Sequence, residues 1–381
     1  MAGGSPRPTP RGWGLLAAGA VLSGGGLALG YVAPAALGAL AFPTVALAAC
    51  LARRPRAARV RRRVANVRVR AGDSVTVVLE TEGPGESRVT AAERVGAPSG
   101  AFVLPLRVLP PGRARIRYEL SAQRRGALEV GPLTLVRTDP LGLVRAARRA
   151  DDATVRLLVH PRRHDLAVLP AAGAGGRDTS AAATRATEGA FAGLREHAPG
   201  DDVRQIHWRT SARRGRLMVR EHADTARPGV TVLADDRRGP AELDELAEAA
   251  ASIVLSAPDV PTELRLAGGG YSPASAGATA HLDLLAEATA NPDADFPAAC
   301  ARLRAGPAGR AVVLLPAGTA SADVAAALDA VAARRVRCLV ALIGAASAAE
   351  LPVPPSGVRL LHAGNAADFA VRWNESRWWI R

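Results

Sequence analysis

Two uncharged runs near the amino terminus, Trp13 to Val32 and Pro34 to Ala52, constrain this chain more than any other feature. About 20 helical residues cross the hydrocarbon core of a bilayer, and each run has roughly that length. Tyr31 to Pro34 supplies a turn between them, so the pair reads as a two-helix membrane hairpin. Seven arginines follow at once (Arg53, Arg54, Arg56, Arg59, Arg61, Arg62 and Arg63). Basic flanks stay on the cytoplasmic side, which predicts a two-pass anchor in the cell membrane with both termini and the soluble domains cytoplasmic. The same arginines are placed to touch anionic lipid. A secretory signal, or a lipoprotein signal ending at Cys50, is disfavoured by the length of the apolar stretch and by the arginines behind it.

That placement also decides what the net charge of +14 means. Residues 1 to 63 hold nine arginines and no acid, so 14 − 9 leaves only +5 for the rest of the chain. Lysine is absent throughout, and the Ala, Gly and Pro content fits a GC-rich coding bias, which weakens arginine as a nucleic-acid signal. Three scattered cysteines (Cys50, Cys300, Cys338) suit neither a zinc site nor a disulfide framework.

From Val64 to His160 short alternating runs (67–69, 75–80, 102–108, 114–120, 128–130, 133–136, 155–159) are separated by turn residues such as Pro110 Pro111 Gly112 and Asp139 Pro140 Leu141 Gly142. Runs of that spacing predict an antiparallel β-sandwich. His160 and His164 are four apart, but Pro161 puts them in a surface turn. Beyond Arg227 the pattern becomes strand and helix in alternation, which predicts a doubly wound parallel sheet. Its strands are expected at 230–234, 263–266, 311–315, 336–343 and 358–361, and its helices at 241–256, 278–290, 297–303, 321–334 and 365–373. The fold class is thus multidomain α and β. A lead (1–12) precedes the hairpin (13–52), a basic juxtamembrane segment (53–63), the sandwich (64–170), a linker with a charged motif (171–227) and the α/β domain (228–381).

The charged motif spans residues 189–222. Gly200 breaks the chain, Asp201 or Asp202 caps a helix carrying Val203, Ile206 and Thr210, Gly215 ends it, and an alternating strand runs to His222. Seven arginines alternate there with Glu196, Asp201, Asp202 and Glu221, which reads as a polar network and not as an open basic face.

Gly193 Leu194 Arg195 Glu196, Pro199 Gly200 Asp201 Asp202, Arg204, Ile206, Trp208 and Ser211 Ala212 Arg213 resemble the signature of the bacterial family DUF58, and Arg124 to Gly126, Gly131 to Leu133 and Asp139 to Leu143 resemble its second block. The resemblance implies a MoxR-type AAA ATPase as partner, a transglutaminase-like membrane protein as a further one, and a von Willebrand factor A-like carboxy-terminal half. That fold can hold Mg through an Asp-x-Ser-x-Ser loop, a Thr and a further Asp, all hard oxygen ligands. Here Asp235 leads, but the hydroxyl positions hold Arg237 and Gly239, and Pro316 Ala317 Gly318 bring no Asp. No metal and no cofactor are therefore expected, although Asp235 and Asp236 keep the degenerate position.

The function that follows is a membrane-anchored, non-catalytic scaffold acting with that ATPase in envelope-related assembly. Arg195, Glu196, Gly200, Asp201, Asp202, Arg204, Trp208 and Arg213 form its structural or partner-binding motif. One alternative is a hydrolase or other enzyme using Asp201, Asp202, His197, His207 or His222 as acid and base, although the chain has neither a nucleophile elbow nor a phosphate loop. The other is nucleic-acid binding through the arginines with Trp208 stacking, which the interleaved acids oppose.

Overall fold

A computed structural model describes residues 6–53, 59–82, 89–97, 100–109, 114–150, 154–169, 191–196, 208–222, 229–307, 309–334, 336–345, 351–376 and 378. The chain divides into two compact units, residues 1–160 and 161–381.

The first unit opens with β1 (Arg7–Pro8) and three helices, α1 (Pro10–Ala28), α2 (Val32–Ala39) and α3 (Ala41–Arg53). Thr9 caps α1 by accepting from the Gly12 N–H, and Pro10 occupies the first turn, where its missing N–H costs nothing. Glycines bring α1 against its successors: a Cβ on Gly26 would lie 2.6 Å from the Ala35 nitrogen, and one on Gly38 would lie 2.6 Å from the Gly19 oxygen. Val32–Ala52, 21 residues with mean hydropathy 2.0, is long and apolar enough to cross a membrane. Among the described residues it alone meets that test; α1 is diluted by Gly12, Gly14, Gly19 and the Gly24–Gly26 run.

Nine strands follow: β2 (Arg59–Val64), β3 (Arg68–Arg70), β4 (Ser74–Glu82), β5 (Val89–Ala97), β6 (Gly100–Leu109), β7 (Ala114–Ser121), β8 (Gly126–Thr138), β9 (Val144–Arg149) and β10 (Val155–His160). They make a three-stranded antiparallel sheet, β2-β4-β7, and a larger sheet built around β8, whose one edge pairs β5 while β10 and β9 share the other. All these pairings are antiparallel except β3 with β10. Val75 and Val77 of the small sheet share a core with Val95, Val130 and Leu157 of the large one, the two-layer packing of a sandwich.

Three sequence expectations change here. The runs at 128–130 and 133–136 are one strand, β8. Strands β5 and β9 were not foreseen; in β5, Glu93 breaks the apolar alternation because its carboxylate faces inward. Arg59–Arg63, expected as part of a basic juxtamembrane segment touching anionic lipid, lies in strand β2. Its Arg62 is buried and meets Glu93 at 2.5 Å, with side-chain exposures of 1% and 0%. The Tyr118 hydroxyl donates to the same carboxylate.

The second unit contains β11 (Phe191–Glu196), α4 (Trp208–Arg214), β12 (Met218–His222), β13 (Gly229–Ala234), α5 (Pro240–Ser256), β14 (Thr262–Leu266), β15 (Tyr271–Ser272), α6 (Gly277–Glu287), α7 (Phe296–Ala305), β16 (Gly309–Pro316), α8 (Ser321–Ala332), β17 (Cys338–Ile343), β18 (Val358–Ala363) and α9 (Ala366–Ser376). Five parallel strands run β14-β13-β16-β17-β18, and β15 adds antiparallel to the β14 edge. β16 and β17 are buried at every position, as parallel strands covered on both faces must be. Two apolar cores flank the sheet, one holding Ile253, Phe369, Trp373 and Trp378, the other Phe296, Leu303, Val324 and Val331. The tryptophan-rich tail thus feeds the core through Trp373 and Trp378. Residues 161–169 lie along α5 and α9: the Trp373 indole donates to the Ala167 carbonyl at 3.3 Å, and His164 meets Glu248 at 3.2 Å.

Candidate functional site

The chain leaves β13 for β14 on one side and then crosses back to β16 on the other, so the direction of winding reverses between β13 and β16. In open α/β sheets, ligands sit outside the carboxyl ends of the strands at such a reversal. Asp235 to Arg238 follow β13 there, and Ala317 to Ala320 follow β16 before α8 begins.

The Arg237 guanidinium fills this crevice. Its Nε donates to Asp235 Oδ1 at 2.8 Å and its Nη2 to Asp235 Oδ2 at 2.9 Å, a fork on a carboxylate that is 1% exposed. Nη2 also donates to Asp323 Oδ2 at 2.8 Å. The cation lies over the Phe296 ring, 4.7 Å from its centroid. Charge-assisted bonds to Asp235 above all, and then to Asp323, hold the Arg237 pKa above its ordinary value. Asp323 is the residue that sequence reasoning missed. No acid directly follows β16, but the first turn of α8 carries one back over the strand end. A count from the strand could not find it; an acid in the first turn of a helix expected at 321 was the available signal.

Asp236 points the other way. It accepts from the Gly268 N–H at 2.7 Å and is 3% exposed. Burial pushes its pKa up, while that hydrogen bond opposes the rise. Arg238 donates to the Gly318 carbonyl at 2.5 Å. Thr319 Oγ1 is buried and has no hydrogen-bond partner among the described residues. Cys300, in the core below, has its thiol pushed up to about 12, first by burial and then by Asp323 and Asp235, which favours the protonated form at neutral pH. Asp235 and Asp323 would be free for a cation only with Arg237 displaced, and among the described residues no three of His, Cys, Asp and Glu gather to hold one.

The charged motif is in part described. Arg195 and Glu196 end β11, which pairs antiparallel with β12, with Glu196 opposite Met218 and Arg195 opposite Val219. The strand to His222 is as expected, whereas its partner β11 is not; Gly193 and Glu221 sit beside a bulge that hides the alternation. Gly200, Asp201, Asp202 and Arg204, together with His197 and His207, lie outside the described residues, and the described helix begins at Trp208. Trp208 is 66% exposed, with Arg209, Ala212 and Arg213 exposed beside it on α4. Ser211 is buried, and its hydroxyl accepts from the Met218 N–H at 2.9 Å, tying α4 to β12. Gly215, at φ +66, gives the left-handed turn that ends α4.

A serine and an imidazole also meet: His281 Nδ1 and Ser272 Oγ are 2.7 Å apart. They are 2% and 5% exposed, and burial lowers the His281 pKa. Closed to substrate, the contact ties α6 to the β15 edge.

No curated protein sequence matches the chain. Solved structures similar to parts of it include the PKD domain of an M14-like peptidase from Thermoplasmatales archaeon SCGC AB-540-F20, at 12% identity and a TM-score of 0.20, covering 26% of this chain and 92% of that one. The Pseudomonas fluorescens alkylpurine DNA glycosylase AlkC is similar at 15% identity and a TM-score of 0.19, covering 27% and 30%. The CARDB domain of the Pyrococcus furiosus protein PF1109 is similar at 11% identity and a TM-score of 0.18, covering 27% and 88%. Likenesses this low carry no argument about fold or activity. Residues 193–376, which take in most of the β11–β12 pair and the parallel sheet, match the family model described as protein of unknown function DUF58, and this supports placing that stretch in the DUF58 family.

Proposed function

We propose that the chain is a membrane-anchored scaffold or adaptor without a reaction of its own, acting with a MoxR-type AAA ATPase in envelope-related assembly. In this reading α1 and the stretch from Val32 to Ala52 both cross the cell membrane, and the termini and both units are cytoplasmic. The carboxy-terminal unit is von Willebrand factor A-like, a reading supported by its strand order with the single antiparallel edge strand. A transglutaminase-like membrane protein is a further partner.

The observation that carries the scaffold reading is the filled crevice. Where a sheet of this order would admit a ligand, the protein places its own guanidinium between Asp235 and Asp323. What remains outward is a surface: Trp208, with Arg209 and Arg213 beside it, offers an aromatic anchor and cations of the kind that dominate binding hot spots.

The test is a crosslinking pull-down from native membranes with the full chain and its Trp208→Ala variant. The full chain is expected to recover an AAA ATPase, and the variant to lose it while remaining folded. Recovery of no ATPase, or a topology reporter placing residue 381 outside the cell, defeats the reading. A folded variant that keeps its partner but loses a measurable turnover would favour the enzyme.

A further inference from the structure

The turn Asp139 to Leu143 does more than close a hairpin. Asp139 Oδ2 accepts from the Leu141 N–H at 2.9 Å and Oδ1 from the Val144 N–H at 2.5 Å, which fixes the loop. Thr9 is then bound to it from the other end of the unit. Its hydroxyl donates to the Gly142 carbonyl at 2.6 Å, and its N–H donates to the Leu143 carbonyl at 2.8 Å. Gly12 packs so closely that a Cβ there would lie 2.1 Å from the Leu143 oxygen. The far end of the apolar stretch arrives at the same place, since Ala48 and Ala52 are buried against Leu143 and Val144. The base of α1 and the end of the Val32–Ala52 stretch therefore share one seat.

That seat fixes a level. Taken end to end, α2 and α3 from Val32 to Ala52 are 21 residues and rise about 31 Å at 1.5 Å per residue, close to the thickness of the hydrocarbon core. If Val32–Ala52 spans it, Ala52 marks one boundary and the turn abuts that boundary. Two large apolar side chains point away from the protein there, Leu141 at 63% and Trp13 at 61% exposure. Arg7, Arg11 and Arg145 are exposed around them, and the Arg11 guanidinium passes beside Gly142. Exposed apolar residues continue up the helices through Leu22, Leu27 and Leu47. An indole beside cations at a helix base is the composition of a membrane–water interface.

We infer that the Asp139–Leu143 turn and Trp13 form a lipid-contact surface, with Leu141 and the indole entering the headgroup boundary and Arg7 and Arg11 facing headgroup phosphates. The inference rests on the membrane-anchor reading and adds to it that the sandwich sits on the bilayer and does not hang from a tether.

The experiment uses the full chain with Cys50→Ala, so that Cys300 and Cys338, both buried, are the native thiols left. Leu141→Cys carries an environment-sensitive fluorophore in vesicles of phosphatidylcholine and phosphatidylglycerol containing a lipid spin-labelled at the headgroup. Phe102→Cys is the control. It is 47% exposed, and its pairing to Val95, beside Val130, puts it about 26 Å along β8 from Thr138 at 3.3 Å per residue. Carbonate extraction is run in parallel. The expected result is a chain that resists extraction, a blue-shifted and quenched label at 141, and an unquenched label at 102. A chain that resists extraction while its 141 label stays in water overturns the surface and spares the anchor. A chain released by carbonate overturns both.

Discussion

Two arginines, one in each unit, sit on buried carboxylates, and the two differ in what they do. Arg62 meets Glu93 and, through it, Tyr118, with both charges essentially dry between the sheets of the sandwich. Arg237 meets Asp235 and Asp323 at the rim of the parallel sheet, with 22% of its side chain and 21% of Asp323 in reach of water. A dry pair is expensive to assemble and very expensive to break, because either partner alone is a buried charge. A rim pair relaxes into solvent more readily. The first sets which way β2 and β5 face; the second fills the crevice at the carboxyl ends of β13 and β16.

The sharpest way to break that contrast is to remove one carboxylate from each cluster's cation, or the cation itself. Glu93→Ala takes the carboxylate from the buried Arg62 and is expected to cost about 3–5 kcal/mol, read as a fall in the denaturant midpoint of the full chain. Arg237→Ala leaves Asp235 without its fork and is expected to cost about 2 kcal/mol, since water can reach the vacated rim. If the second variant loses more than the first, the assignment of roles is inverted.

Thr9→Ala supplies an uncharged yardstick below them. It removes the cap of α1 and a hydroxyl bond to Gly142, at about 1 kcal/mol. Asp236 sharpens the rim side through pH. Its folded pKa lies above its ordinary value of 3.8, so the stability it contributes is complete below that value and is lost as pH rises through the folded one. Asp236→Asn keeps an acceptor for the Gly268 N–H and should flatten this part of the stability profile, measured by unfolding between pH 4 and pH 7. Trp208→Ala should change stability by less than about 0.5 kcal/mol, because the indole is exposed. A larger loss would mean that it packs a core and does not present a surface.

Most of the parallel unit is legible in the sequence. Buried parallel strands such as Val312 to Leu315 and Leu339 to Ile343 are unbroken apolar runs, and glycine and proline punctuate the helices between them, so expected and observed bounds agree within a few residues. The sandwich was legible only where its strands alternate. β2 and β5 carry inward charges, Arg62 and Glu93, and each makes sense only beside the other, which no local pattern reveals. The crevice was half legible for the same reason. Asp235 and Arg237 are neighbours in sequence, whereas Asp323 reaches them through the fold. The helix cap expected at Asp201 or Asp202 lies outside the described residues; the end of that helix, at Gly215, is as expected.

The seat of α1 has a consequence for the order in which the molecule is made. Thr9 and the Gly142 carbonyl it holds are separated by 133 residues of chain. A ribosome therefore releases both apolar helices well before the loop that receives them has been synthesised. The seat can close only after that loop exists, and closing so long a loop carries an entropic cost that the pairing of β8 with β9 helps to offset. A nascent chain halted before Asp139 would carry the complete apolar stretch and still have nothing to hold its base.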